Sequence, residues 1–299
     1  MSDVKIFWDP KGFELDSLGR KKYIRATDGD TPYISTSIRM LGIDTPEVHY
    51  PGNSSPVKFD AKLKELAGWI REGIAPVDEA LGEYLIPRLE TGEAGTLQKE
   101  QGEQAREYFE TLLDRLLRKE SGRRRSVYIQ TADEPFDQYG RLLAYMAPSY
   151  TSDELAKLSR HERATFNYLM VESGWAASFL IYPSLPKHTD LVMLQEGAKA
   201  ACENRRGAWE NELMLTGYEF RMAVKLYNIT KKIVANRNVS SRERSGWISR
   251  FCVDMTSGEI FYPQEYYKVS PYNRIFVWPA DVTDAVAKMN LKPPIDREA

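Results

Sequence analysis

Histidine and cysteine are scarce: three histidines (His49, His161, His188) and two cysteines (Cys202, Cys252) occur in 299 residues. The histidines form no H-E-x-x-H or similar ligand pair, which argues against a zinc hydrolase. Two cysteines so far apart justify neither a disulfide framework nor a metal cluster. Both are expected to be reduced, with Cys202 a core residue on a helical apolar face. Nowhere do eighteen apolar residues follow one another, so no membrane-spanning helix is expected. The start, MSDVKIFWDPKGFELDSLGRKKY, lacks the apolar run of a signal peptide. The expectation is a soluble, cytoplasmic protein, with signal-independent export left open. Net charge is also small, −2, so any contact with a phosphate backbone has to be local.

What is present is a globular composition, 42% hydrophobic and 11% aromatic, with enough chain for one elaborated domain or two smaller ones. Residues 21–31 (KKYIRATDGDT) read as a strand running into an Asp-Gly turn, and 33–43 (YISTSIRMLGI) as its β-branched continuation. Apolar residues three and four apart predict helices in SSPVKFDAKLKELAGWIREG and in PVDEALGEYLIPRLE. The glycine-containing TGEAGTLQKEQG reads as a linker before a helix in GEQAREYFETLLDRLLRKE. Strands at 126–129 and 142–147 flank the turn-rich DEPFDQYGR, and helical spacing returns in DELAKLSRHERATFNYLMVESG and LVMLQEGAKAACENRRGAWE. Short aromatic strands then predominate, from GWISRFCVD to RIFVWPADV. The expected organisation is a domain over 1–214 and a C-terminal accessory module over 215–299. Between Glu219 and Ile275, ten Lys/Arg stand against five Asp/Glu among aromatic residues, a composition that suits a nucleic-acid contact or, equally, a capping module.

Hydrolysing a phosphodiester requires activated water, neutralisation of charge on the phosphoryl oxygens and usually a metal. Asp28, Asp30, Asp44 and Glu47 offer oxygen ligands of the kind a hard cation takes, and Arg39 and Arg141 offer two guanidinium groups for one phosphate. Singly these motifs are weak, since Asp-Gly is most often only a turn. The Arg123–Arg125 run reads as a solvated loop.

In order along the chain, DGDT (28–31), RMLGIDTPE (39–47) and DQYGRLLAY (137–145) resemble the motifs of the staphylococcal nuclease (thermonuclease) family. VESGWA and KAACENRRGAW extend the likeness to roughly 21–209. The resemblance implies an α+β protein built on a five-stranded OB-fold barrel with packed helices. It implies a calcium-dependent endonuclease-like phosphodiesterase acting on DNA and/or RNA and leaving 3′-phosphate and 5′-hydroxyl ends. Carried over by motif position, Asp30, Asp44 and the Thr45 carbonyl would hold Ca2+, with Asp28 supporting them. Glu47 would handle the attacking water, and Arg39 and Arg141 would bind the phosphate. Tyr139 and Tyr182 are candidate substrate contacts, although both are as readily explained by packing at a barrel rim. About fifty residues, 53–101, form a helical, acidic insertion where the family has a shorter loop. Relatives that only bind lack several of these charged positions, so the alternative is a non-catalytic nucleic-acid or protein-binding module. Oligomeric state is not legible.

Overall fold

Spacing of apolar residues is enough to make the segment after Pro56 helical, and the computed structural model, which describes residues 20–50, 52–119 and 121–292, carries that pattern through in chain order. The helices are α1 (Asp60–Arg71), α2 (Glu79–Leu89), α3 (Ala94–Leu117), α4 (Ser152–Lys157), α5 (Phe166–Glu172), α6 (His188–Glu203), α7 (Gly217–Val234), α8 (Ser241–Ser245) and α9 (Val282–Met289). The strands are β1 (Lys22–Ala26), β2 (Pro32–Ser35), β3 (Ile38–Met40), β4 (Ile43–Asp44), β5 (Val127–Phe136), β6 (Leu142–Pro148), β7 (Ala177–Ser178), β8 (Leu180–Ile181), β9 (Phe251–Asp254), β10 (Ile260–Phe261) and β11 (Arg274–Val277). The stretch expected to lack a signal peptide lies mostly outside the described residues, as do the outer ends of both expected domains. No described helix is long and apolar enough to cross a membrane.

The described residues divide into two compact units, 20–39 with 130–144, and 40–129 with 145–292. In the first, β1 and β2 form an antiparallel hairpin whose residues are all exposed. The second unit carries a sheet in the order β10-β9-β11-β8, in which β11 runs parallel to β8 and antiparallel to β9. Successive side chains on a strand point to opposite faces. Accordingly Phe276, Cys252 and Phe179 enter one hydrophobic core with α1, α2 and α7, while Ile275, Val277, Val253 and Leu180 enter another with α3, α5 and α6. A sheet covered on both faces reads as a run of apolar residues, as 275–277 (IFV) of β11 do.

Two expectations are corrected here, the closed barrel and the linker. The mixed α+β class holds, but among the described residues the strands form open sheets and no closed barrel: β1 pairs with β2 alone, and β4 pairs with β7 over two residues. Residues 215–292 belong to the same compact unit as 40–129: β11 pairs with β8 and α7 packs on α1. That region is also more helical than its aromatic strands implied, with 18 residues in α7. Finally, residues 94–102 of the expected linker lie in the first half of α3. Its glycines are contact points: a Cβ on Gly95 would lie 2.1 Å from the Pro56 carbonyl oxygen, and one on Gly102 would lie 2.9 Å from that of Pro46.

Candidate active site

In the first unit, the Asp-Gly turn between β1 and β2 presents Asp28 and Asp30 to solvent. The turn holds itself together: the Thr31 hydroxyl donates to Asp30 Oδ1 (3.0 Å) and the Thr27 amide to the Thr31 carbonyl (3.2 Å). Hydrogen bonds with Thr31 and Asp30 keep the Asp28 carboxyl below its ordinary value. Arg39 lies on β3 and Arg141 immediately precedes β6, the neighbouring strand, where the Leu142 amide donates to the Ser37 carbonyl at 2.9 Å. Topology thus brings the two guanidinium-bearing positions onto adjacent strands.

Arg141 is aimed by a residue the sequence reading passed over. Asp137 accepts from the Arg141 backbone amide (3.0 Å), from Arg141 Nε (2.8 Å) and from the Tyr139 amide (2.9 Å), with Arg141 Nη2 at 2.7 Å. Burial pushes the Asp137 carboxyl up, but the Arg141 and Tyr139 hydrogen bonds outweigh it and the group lies below its usual 3.8. The Asx-type turn is legible in D-Q-Y-G-R, with Gly140 at φ 68°. Tyr139 is 71% exposed, and the Arg141 guanidinium sits 5.4 Å from its ring centre.

The second unit holds Asp44, Thr45 and Glu47, and here the surroundings are crowded. Asp44 ends β4, fixed by pairing with Ala177 of β7, and is 2% exposed. The Glu47 amide donates to Gln98 Oε1 (3.1 Å), and Gln98 Nε2 donates to the Leu215 carbonyl (2.9 Å). One buried α3 side chain therefore ties the Asp-Thr-Pro-Glu loop to the residues that start α7. The helix begins with a Thr216–Glu219 capping box. Four residues on from Gly217, on the same helical stripe, Arg221 places Nη2 at 2.9 Å from Asp44 Oδ2 and Nη1 at 2.5 Å from Glu47 Oε1. Burial pulls the Arg221 pKa down, yet the two carboxylates prevail and its net shift is upward. No local signal in the sequence links Arg221 to residues more than 170 positions earlier.

Beside Arg221 the surface is cationic. Lys225, one further turn along α7, is open to solvent on one side; partial burial and then the like charges of Arg250 and Arg221 hold its pKa down. The Arg250 guanidinium lies 4.1 Å from the ring of Trp278, itself 41% exposed.

Residues 37–211 match the family described as staphylococcal nuclease homologue. The chain belongs to that family. No curated protein matches the chain. The family match spans Arg39, Asp44, Thr45, Glu47, Tyr139, Arg141 and Tyr182, and it begins after Asp28 and Asp30 and ends before Arg221.

Tyr182 is not a surface stacking platform: it is 6% exposed, its hydroxyl donates to Asp284 of α9, and it belongs to a hydrophobic core. Arg125, in the basic run, is salt-bridged to Glu154 at 2.6 Å. Both cysteines are free, and burial pushes the Cys252 thiol up to about 12. A nuclease-family calcium ion does not fit Asp44 and Thr45 as they stand. A Cβ on Gly217 would lie 2.5 Å from the Thr45 carbonyl oxygen and 2.7 Å from Asp44 Oδ2, so α7 covers both oxygens. Among the described residues no group of three or more His, Cys, Asp or Glu is arranged to hold a metal.

Proposed function

We propose that this chain is a phosphodiesterase acting on DNA and/or RNA. The observation that carries the reading is membership of the staphylococcal nuclease family together with Arg39, Asp44, Glu47 and Arg141, all present and in family order. Glu47 takes a proton from the attacking water, and Arg39 and Arg141 stabilise the charge that builds on the phosphoryl oxygens as the 5′-oxygen leaves, giving 3′-phosphate and 5′-hydroxyl ends. The Asp137 hydrogen bonds favour the second role by holding the Arg141 guanidinium in one orientation. Calcium is the cation the family reading implies, and Arg221 and the start of α7 would have to give way before Asp44 and the Thr45 carbonyl could take it. Lys225, Arg250 and the exposed Trp278 supply the nucleic-acid contact for the C-terminal residues, combining phosphate neutralisation with a face for base stacking. Cleavage of labelled single- and double-stranded DNA and of RNA, with calcium or with chelator, tests the reading; Arg39→Ala and Arg141→Ala should each cut slowly while remaining folded.

A second reading, a nucleic-acid-binding module without turnover, is favoured by one observation: Arg221 already engages Glu47 and Asp44. Binding of oligonucleotides without cleavage under any metal condition would select it.

A further inference from the structure

A carboxylate buried as deeply as Asp44 needs a resident positive charge, because an unpaired buried anion is strongly disfavoured. In this chain α7 supplies the cation that is hydrogen-bonded to it. Its guanidinium fork divides between two carboxylates, one nitrogen to Asp44 and the other to Glu47. The approach is built rather than incidental. Gly217 leaves the space that lets α7 lie against the Thr45 carbonyl, where any Cβ would collide. Gln98 joins the Glu47 amide to Leu215, two residues before the helix. The helix is itself anchored, since Glu219 is buried against Arg274 (3.5 Å) and accepts from the Tyr84 hydroxyl (2.9 Å).

We propose that Arg221 is a resident cation that competes with divalent metal for Asp44 and Glu47, and is thereby the residue that sets how readily this carboxylate pair takes up metal. The proposal rests on the reading of Asp44 and Glu47 as the active carboxylates, and it concerns who occupies them. A hard divalent cation takes carboxylate oxygens, and so does a guanidinium fork. The two ligands want the same atoms, so they compete. Two charge-assisted hydrogen bonds must be given up before metal enters, which depresses apparent metal affinity by on the order of ten- to a hundred-fold. Removing the guanidinium shifts the balance: Asp44 and Glu47 lose the cation that is hydrogen-bonded to both, the fold weakens, and a divalent cation becomes a partner that restores it.

The test is calorimetric titration of the full chain with calcium chloride, for wild type, Arg221→Ala and Arg221→Gln, with thermal unfolding recorded in calcium and in chelator. Arg221→Gln keeps the side-chain stem against the helix and carries the comparison if the alanine variant does not fold in chelator. The expected result is calcium affinity at least about ten-fold higher in the variants, with a melting temperature that drops in chelator and recovers in calcium while the wild-type value stays put. Equal affinity in all three proteins, or no calcium binding to any of them, would overturn the proposal. Because the readout is binding, a variant that takes up calcium yet cleaves neither DNA nor RNA supports the latch and counts against the nuclease reading alone.

Discussion

The Asp28–Asp30 turn and the Asp44–Glu47 loop carry the same kind of chemistry on opposite kinds of scaffold. The turn stands on a hairpin with no buried residue, closed by contacts within four positions of one another. The loop is wedged between α3 and α7, which contribute Gln98, Gly102, Gly217 and Arg221. A turn of the first kind is written in its own few residues. A buried carboxylate of the second kind exists only because partners about 50 and 170 positions away make its burial tolerable.

That contrast can be broken by substitution. The largest loss of stability is expected from Glu219→Ala, which strands the buried Arg274 and removes the cap of α7: about 3–5 kcal/mol by urea unfolding. Arg141→Ala should leave the fold unchanged, since the side chain is partly exposed, yet lower the cleavage rate about 10²–10³-fold as a lost electrostatic donor does. Gly102→Ala, where a Cβ meets the backbone of Pro46, Glu47 and Val48 at 2.9–3.0 Å, should cost about 1–3 kcal/mol through overpacking. It should also slow cleavage by displacing Glu47, read from the same preparations.

Smaller effects are expected in the first unit. The Asp137 pKa is lower folded than unfolded, so its stabilisation is complete above its ordinary 3.8 and drains away as pH falls through the lower, folded value. Asp137→Asn should remove that acid-side loss and lower stability near neutrality by about 1 kcal/mol, seen as a flatter melting temperature between pH 5 and pH 2 than in wild type. Ile24→Ala on the exposed hairpin should change stability by no more than about 0.5 kcal/mol. A larger drop would show the hairpin to be packed after all.

The sequence was most informative where chemistry is local. RMLGIDTPE and DQYGRLLAY, which lie inside the matched residues, pointed to the family, and apolar spacing located α1 and α2. It misled where a residue type has two uses. Glycines at 95 and 102 suggested a linker, whereas they let α3 lie against Pro56 and Pro46. Helix α7 was missed although Thr216 and Glu219 spell a capping box, because its Tyr, Ile, Val and Thr residues also suit strands. The membership of 215–292 in the larger unit was hidden for another reason: a parallel partner such as β8 for β11 is a long-range choice that no local pattern announces. Arg221 was hidden in the same way, one basic residue among ten in its region.

The most direct test of the nuclease reading is a cleavage assay with the purified full chain and its Glu47→Gln variant on single-stranded DNA, double-stranded DNA and RNA, in calcium and in chelator. Calcium-dependent cutting that Glu47→Gln abolishes is the predicted result. Folded protein that cuts none of the three, or a Glu47→Gln variant as fast as wild type, would contradict it.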